Sequence, residues 1–174
     1  ATVAGCASLP PDPPRPLAIG ITDWADTGLG RLARTTLTGQ AVESSGFALL
    51  RTPADALDAR LALIAAAERS LDLQYHEFKN DRSGGAIMAA LVAAGQRGVR
   101  VRVLIDDLLT AGEDDVLLEL AAQPQVEVRL FNPYAGRSAR LLQFVGDFSR
   151  LNRRMHNKSF TVDNQITLIG GRNI

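Results

Sequence analysis

Only one cysteine, Cys6, occurs in the sequence, which excludes an internal disulfide and any metal site built on paired cysteines. Histidine is nearly as scarce, with His76 and His156 alone among 174 residues. No run approaches the ~18 apolar residues that a membrane-crossing helix needs. An excess of one charge sign is lacking too: 19 Lys and Arg balance 19 Asp and Glu, so net charge by itself points to neither nucleic acid nor an anionic surface. What is present is 46% hydrophobic and 22% charged, with 15 Gly and 8 Pro. That is the composition of one globular domain with its own core.

The charges are unevenly spread. Asp106, Asp107, Glu113, Asp114, Asp115 and Glu119 form an acidic stretch without a base. Arg129, Arg137, Arg140, Arg150, Arg153, Arg154 and Lys158 then follow with Asp147 as the single intervening acid. Basic density of this kind suits an anionic ligand, and equally a solvated basic loop.

Residues 1–16 read as a tether. Val3-Ala4-Gly5-Cys6 has the form of the end of a bacterial lipoprotein signal, with Cys6 as the lipid-bearing residue. Pro10, Pro11, Pro13, Pro14 and Pro16 follow and favour a stiff, extended chain. A protein so tethered is expected in the bacterial cell envelope, facing the periplasm or the exterior. Residues 17–46 are weakly patterned and form an N-terminal extension. A domain is expected over 47–174, truncated at its C-terminal end. The sequence starts without Met and is read as a fragment at both ends.

Within that domain 47–51 reads as a short strand. Thr52-Pro53-Ala54-Asp55 is a helix start, with Thr as N-cap, Pro at the first helical position and an acid at the third. Apolar spacing carries the helix over 53–69. Alternation gives a strand over 71–76, ending on His76, which reads as a satisfied structural histidine. A helix capped by Ser83 runs to residue 95. A second long strand at 99–105 ends on Asp106-Asp107. Carboxylates past a strand's C-terminal end sit where α/β proteins build sites, and they also serve as loop caps, the reading preferred here. A helix over 113–122 and a strand over 126–131 follow. Asp163-Asn164 is a hairpin turn between 160–162 and 166–169. Strands alternating with helices predict an α/β fold with a mixed, mainly parallel sheet and helices on its faces, an αβα sandwich.

The chemistry concentrates at 155–174. His156 and Lys158 lie two apart, so an extended backbone points both side chains the same way. Zinc is disfavoured by a cation beside the imidazole and by the lack of further ligands at suitable spacing. A phosphate suits the pair: the ammonium neutralises its oxygens while a neutral imidazole nitrogen attacks phosphorus. Gly170 and Gly171 permit close backbone approach, and Asn173 can donate an amide N–H to the same oxygens. Asp163 falls in the turn, where an Asx-type cap and a supporting role compete with direct chemistry. These six residues at these spacings arise by chance on the order of once per million in such a chain.

His156-x-Lys158-x4-Asp163-x6-Gly170-Gly171-x-Asn173 resembles the HKD motif of the phospholipase D superfamily. The segments at 70–75, 98–107, 128–133 and 152–158 are similar to the first half of bacterial cardiolipin synthases, in the branch called cardiolipin synthase C. The resemblance spans 45–174. It implies a phospholipase D fold in which two HKD copies share one active site, the second coming from a further half of the chain. It implies His156 as nucleophile or as its partner acid, Lys158 and Asn173 as phosphate ligands, and neither metal nor cofactor. It implies phospholipid substrates, phosphatidylglycerol with phosphatidylethanolamine as an alternative second lipid, and transfer of a phosphatidyl group. The fragment alone is expected to be inactive.

Two other readings stay open. Arg137, Arg140, Arg150, Arg153 and Arg154, with Tyr134 and Phe144 for stacking, would suit a phosphodiesterase on nucleic acid, although zero net charge and the tether speak against a nucleic-acid partner. A non-catalytic lipoprotein domain that binds anionic headgroups is the other.

Overall fold

A computed structural model describes residues 8, 9, 11, 14, 19–41, 44–137 and 140–174. Cys6 and most of the tether lie outside the described residues.

Five strands form one sheet: β1 (Ser70–Tyr75), β2 (Arg100–Asp106), β3 (Val126–Phe131), β4 (Lys158–Val162) and β5 (Ile166–Ile169). Their order is β3-β2-β1-β4-β5. β1, β2 and β3 are parallel; β4 runs antiparallel to β1, and β5 to β4. The sheet is therefore mixed, as the alternation of elements predicts.

Alternation along the strands separates two faces. Leu71, Leu73 and Tyr75 pair in register with Val101, Val103 and Ile105 on one side and with Val162, Phe160 and Lys158 on the other. The apolar members of these rows are buried and share one core with α2 (Pro53–Ala66), α3 (Arg82–Gln96) and α4 (Asp114–Ala121). Right-handed crossovers put α3 and α4 on the same face of a sheet that grows in one direction from β1 to β3. The opposite face carries Asp72, Gln74, Arg102, Ser159 and Thr161. Helices α2, α3 and α4 thus cover the apolar face. The polar face is held by an Asp72–Arg102 ion pair and a 3.0 Å contact between the hydroxyls of Thr161 and Thr167.

The α2 start is the capping box that its sequence announces: Thr52 accepts from the Asp55 N–H at 3.1 Å and Asp55 accepts from the Thr52 N–H at 3.0 Å. Three expectations are corrected. Helix α2 ends at Ala66, because Ala67 turns extended to feed β1. Asp81, not Ser83, caps α3, accepting from the N–H groups of Ser83 and Gly84, each at 2.9 Å; its carboxylate reaches two orphan donors where a hydroxyl reaches one. Residues 47–51 form no strand. Phe47 is 95% and Leu49 80% exposed; strand propensity without a ladder partner does not make a strand. Instead the carbonyls of Leu50 and Arg51 accept from the Arg172 guanidinium at 3.3 and 3.0 Å.

Helices α1 (Gly28–Thr36), α5 (Arg140–Gly146) and α6 (Phe148–Leu151) complete the chain. At the start of α3 a Cβ on Gly84 would lie 1.8 Å from the Lys79 carbonyl oxygen. Only glycine lets α3 begin so close to the 76–79 segment, which borders the site described next.

Candidate active site

The antiparallel pairing of β1 with β4 decides where the motif falls. Tyr75, the last residue of β1, is the partner of Lys158, the first of β4. His156 therefore emerges at the C-terminal end of β1. Gly170 follows β5 beside Lys158, its N–H donating to the Lys158 carbonyl at 3.4 Å. Asn173 and Ile174 run along 77–79: Ile174 donates to the Glu77 carbonyl at 3.3 Å and accepts from the Lys79 N–H at 2.9 Å. The structure thus gathers His156, Lys158, Gly170, Gly171 and Asn173 at one end of the sheet.

His156 is exposed, while Lys158 is 8% exposed. The Lys158 ammonium donates to the His156 carbonyl at 3.1 Å. Among the described residues no carboxylate lies within ion-pair distance of Lys158. A nearly buried cation without a counter-charge is costly, and an anionic ligand removes that cost. Among the described residues, chain neighbours apart, no atom stands within 4 Å of where a Cβ would project from Gly170 or Gly171, so this flank is open. The Asn173 amide donates to Glu77 at 3.4 Å, and its Oδ1 is buried without a hydrogen-bond partner among the described residues.

Asp163 does not join this group. It stands past the far end of β4, seven residues from His156 and roughly 20 Å away along an extended chain. Its fully buried carboxylate accepts from three backbone N–H groups: Glu68 at 3.0 Å, Arg69 at 2.8 Å and Ser70 at 2.9 Å. Its own N–H donates to the Ser70 carbonyl at 2.8 Å. Asp163 and Asn164 take left-handed backbone, φ 50° and 53°, which Asp and Asn tolerate in turns. Asp163 thus fastens the β4–β5 turn to the start of β1.

Two residues at the site were not legible as partners of the motif. The His76 ring lies 4.8 Å from the His156 ring, centroid to centroid, tilted by 55°, and its Nδ1 donates to the Met155 carbonyl at 3.0 Å. Buried Asp106 accepts from the Met155 N–H at 2.7 Å, the Leu108 N–H at 2.8 Å and the Arg154 guanidinium at 3.0 Å. The signal for each was its place at a strand's C-terminal end. Its partner was hidden because strand pairing is not written in local sequence.

The arginines of the basic stretch are largely committed inward. Arg137 binds Asp107 at 2.6 Å and also Asp114. Arg140 reaches Asp107 at 3.5 Å, Arg150 pairs with Asp147 at 2.5 Å, and Arg154 pairs with Asp106. Arg137 holds the half-buried Asp114 carboxyl below the usual carboxylate range, chiefly by hydrogen bonding. Tyr134 is buried beneath the guanidinium groups of Arg140 and Arg154, at 5.2 and 5.5 Å from its ring centre. Phe144 packs edge-on against Phe148. Among the described residues there is no cluster of three His, Cys, Asp or Glu able to hold a metal ion, and no helix is long and apolar enough to cross a membrane.

The chain is similar to several known proteins. Cardiolipin synthase C of Escherichia coli strain K12 is 52% identical over 138 residues, covering 79% of this chain and 29% of that protein. An uncharacterized protein of Helicobacter pylori strain J99 is 39% identical over 151 residues, covering 85% and 30%. The chain thus spans less than a third of the length of these relatives. NucT from Helicobacter pylori superimposes with a TM-score of 0.50 at 18% identity, over 69% of this chain and 67% of that one, a likeness of fold. The profile of the family described as "Cardiolipin synthase, PLD-like domain" matches residues 61–174, and the chain belongs to that family.

Proposed function

We propose that this chain supplies one half of the active site of a phosphatidyltransferase that makes cardiolipin from phosphatidylglycerol and a second phospholipid. The observation that carries this reading is Lys158, a nearly buried residue whose ammonium has no carboxylate partner among the described residues, set beside the exposed His156. A phosphodiester provides the missing negative charge. Lys158, the Asn173 amide and the N–H groups beside Gly170 and Gly171 would hold its oxygens.

In the proposed reaction an imidazole nitrogen attacks phosphorus. The bond from phosphorus to the oxygen of the donor lipid's departing headgroup alcohol, glycerol or ethanolamine, breaks, and that oxygen takes its electron pair and a proton from a general acid. The acceptor lipid's hydroxyl then attacks phosphorus, gives its proton to the same group, and the phosphorus–nitrogen bond breaks. His156 fills one of the two imidazole roles. The other comes from a second His-x-Lys copy, expected in the length by which the relatives exceed this chain. Asp163 supports the fold in this scheme and does not touch the phosphate. Cys6, outside the described residues, is proposed as a lipid-attachment site that holds the protein at the envelope membrane.

The nuclease reading has weaker support, because Arg137, Arg140, Arg150 and Arg154 are spent on internal partners and Tyr134 is covered. The full-length protein should be incubated in EDTA with phosphatidylglycerol vesicles, with and without phosphatidylethanolamine, and separately with plasmid and single-stranded DNA. Cardiolipin without DNA cleavage is expected. DNA cleavage without a lipid product would favour the nuclease, and vesicle binding without turnover a headgroup-binding domain.

A further inference from the structure

We infer that His76 is a positioning residue for His156, a role that rests on the phosphatidyltransfer reading above. His76 follows β1 directly, and His156 lies two residues ahead of the start of β4. The register ends by joining Tyr75 to Lys158, and the two histidines meet just beyond it.

Met155, just before His156, is clamped on both sides. Both of its backbone polar groups are bound by side chains, each from the C-terminal end of a different strand. Asp106 at the end of β2 takes its N–H at 2.7 Å, and His76 at the end of β1 donates to its carbonyl at 3.0 Å. A carbonyl only accepts, so neutral His76 carries its proton on Nδ1. On the other side of His156, Asn157 donates to the Gln74 side chain at 2.8 Å. The backbone around His156 is fixed, yet among the described residues its ring makes no hydrogen bond of its own. The His76 ring, 4.8 Å away and tilted 55°, is the wall that limits how the His156 imidazole can turn.

An attacking nitrogen displaced by about 1 Å costs on the order of a hundredfold in rate. The Lys158 ammonium and the Asn173 amide bond the His156 carbonyl and Glu77 rather than the His76 ring, so substrate binding should change less than turnover when that ring is lost. The test uses the full-length protein and cardiolipin formation from phosphatidylglycerol vesicles. His76→Ala is expected to lower kcat about 10- to 100-fold while KM stays within about twofold. His76→Asn keeps a donor near Nδ1 without the ring, and His76→Phe keeps a ring without the donor. Each should retain more kcat than His76→Ala, with melting temperatures within about 4 °C of the parent. Wild-type kcat in His76→Ala, with His156→Ala inactive, would overturn the positioning role and leave the phosphatidyltransfer reading standing. So would a shift in KM or melting temperature with kcat untouched. Cardiolipin formation absent from the parent protein, or undiminished in His156→Ala, would sink the reading itself and this role with it.

Discussion

The carboxylate of Asp106 accepts the backbone N–H of Met155 at 2.7 Å, joining the C-terminal end of β2 to the residue that precedes His156. Asp106 is fully buried and also holds the Arg154 guanidinium at 3.0 Å. Asp106→Ala would strand a largely buried cation and two N–H groups. Breaking such a pair costs about 3 kcal/mol, or about 6–12 °C in melting temperature for a chain of this size. Thermal unfolding should show that loss, and kcat should fall with it because the clamp on Met155 is gone. Asp106→Asn keeps one acceptor oxygen and should lose less stability.

Asp163 should behave as a structural residue. Asp163→Ala leaves the N–H groups of Glu68, Arg69 and Ser70 without their acceptor and puts a Cβ-bearing residue with no local hydrogen bond at φ 50°. The expected cost is about 3 kcal/mol. Asn, which tolerates this backbone and keeps an acceptor, should recover part of it. Denaturant titration checks both. A large fall in kcat with unchanged stability would instead return Asp163 to the chemistry.

Much of the scaffold was legible because its signals are local. The alternation in 71–76 and 99–105, the Thr52–Asp55 capping box and the Asp163-Asn164 turn each report on neighbours a few residues apart, and the structure bears them out. The strand expected at 47–51 failed for the complementary reason, since a strand exists only where a partner offers a ladder. Helices α5 and α6 are short, seven and four residues, and leave little periodicity to read. The contact of His76 with His156 joins positions 80 residues apart. It follows from the β1–β4 register, which no local pattern records, so His76 looked like an ordinary strand-end histidine.

The Arg137–Asp114 pair gives stability a pH dependence. Asp114 is held below the usual carboxylate range, first by its hydrogen bond to Arg137. A carboxyl whose folded pKa is depressed binds protons less readily than the unfolded chain. Its contribution is therefore complete above the ordinary Asp range and is lost as pH falls through the depressed folded value. Asp114 is 42% exposed at its side chain, so solvent screening keeps the effect small. Melting curves from pH 6 to pH 2 should fall more steeply in the parent than in Asp114→Asn. Identical slopes would mean the pair is not formed.

His156 carries the central claim. Its ring is exposed and makes no hydrogen bond among the described residues, so His156→Ala should leave the melting temperature unchanged within about 2 °C. The decisive measurement is cardiolipin formation by the full-length protein from phosphatidylglycerol vesicles in EDTA, parent against His156→Ala. Loss of at least about 1,000-fold in rate with the fold intact is expected of a residue that forms or breaks bonds to phosphorus. Cardiolipin made by His156→Ala at the parent's rate would contradict it.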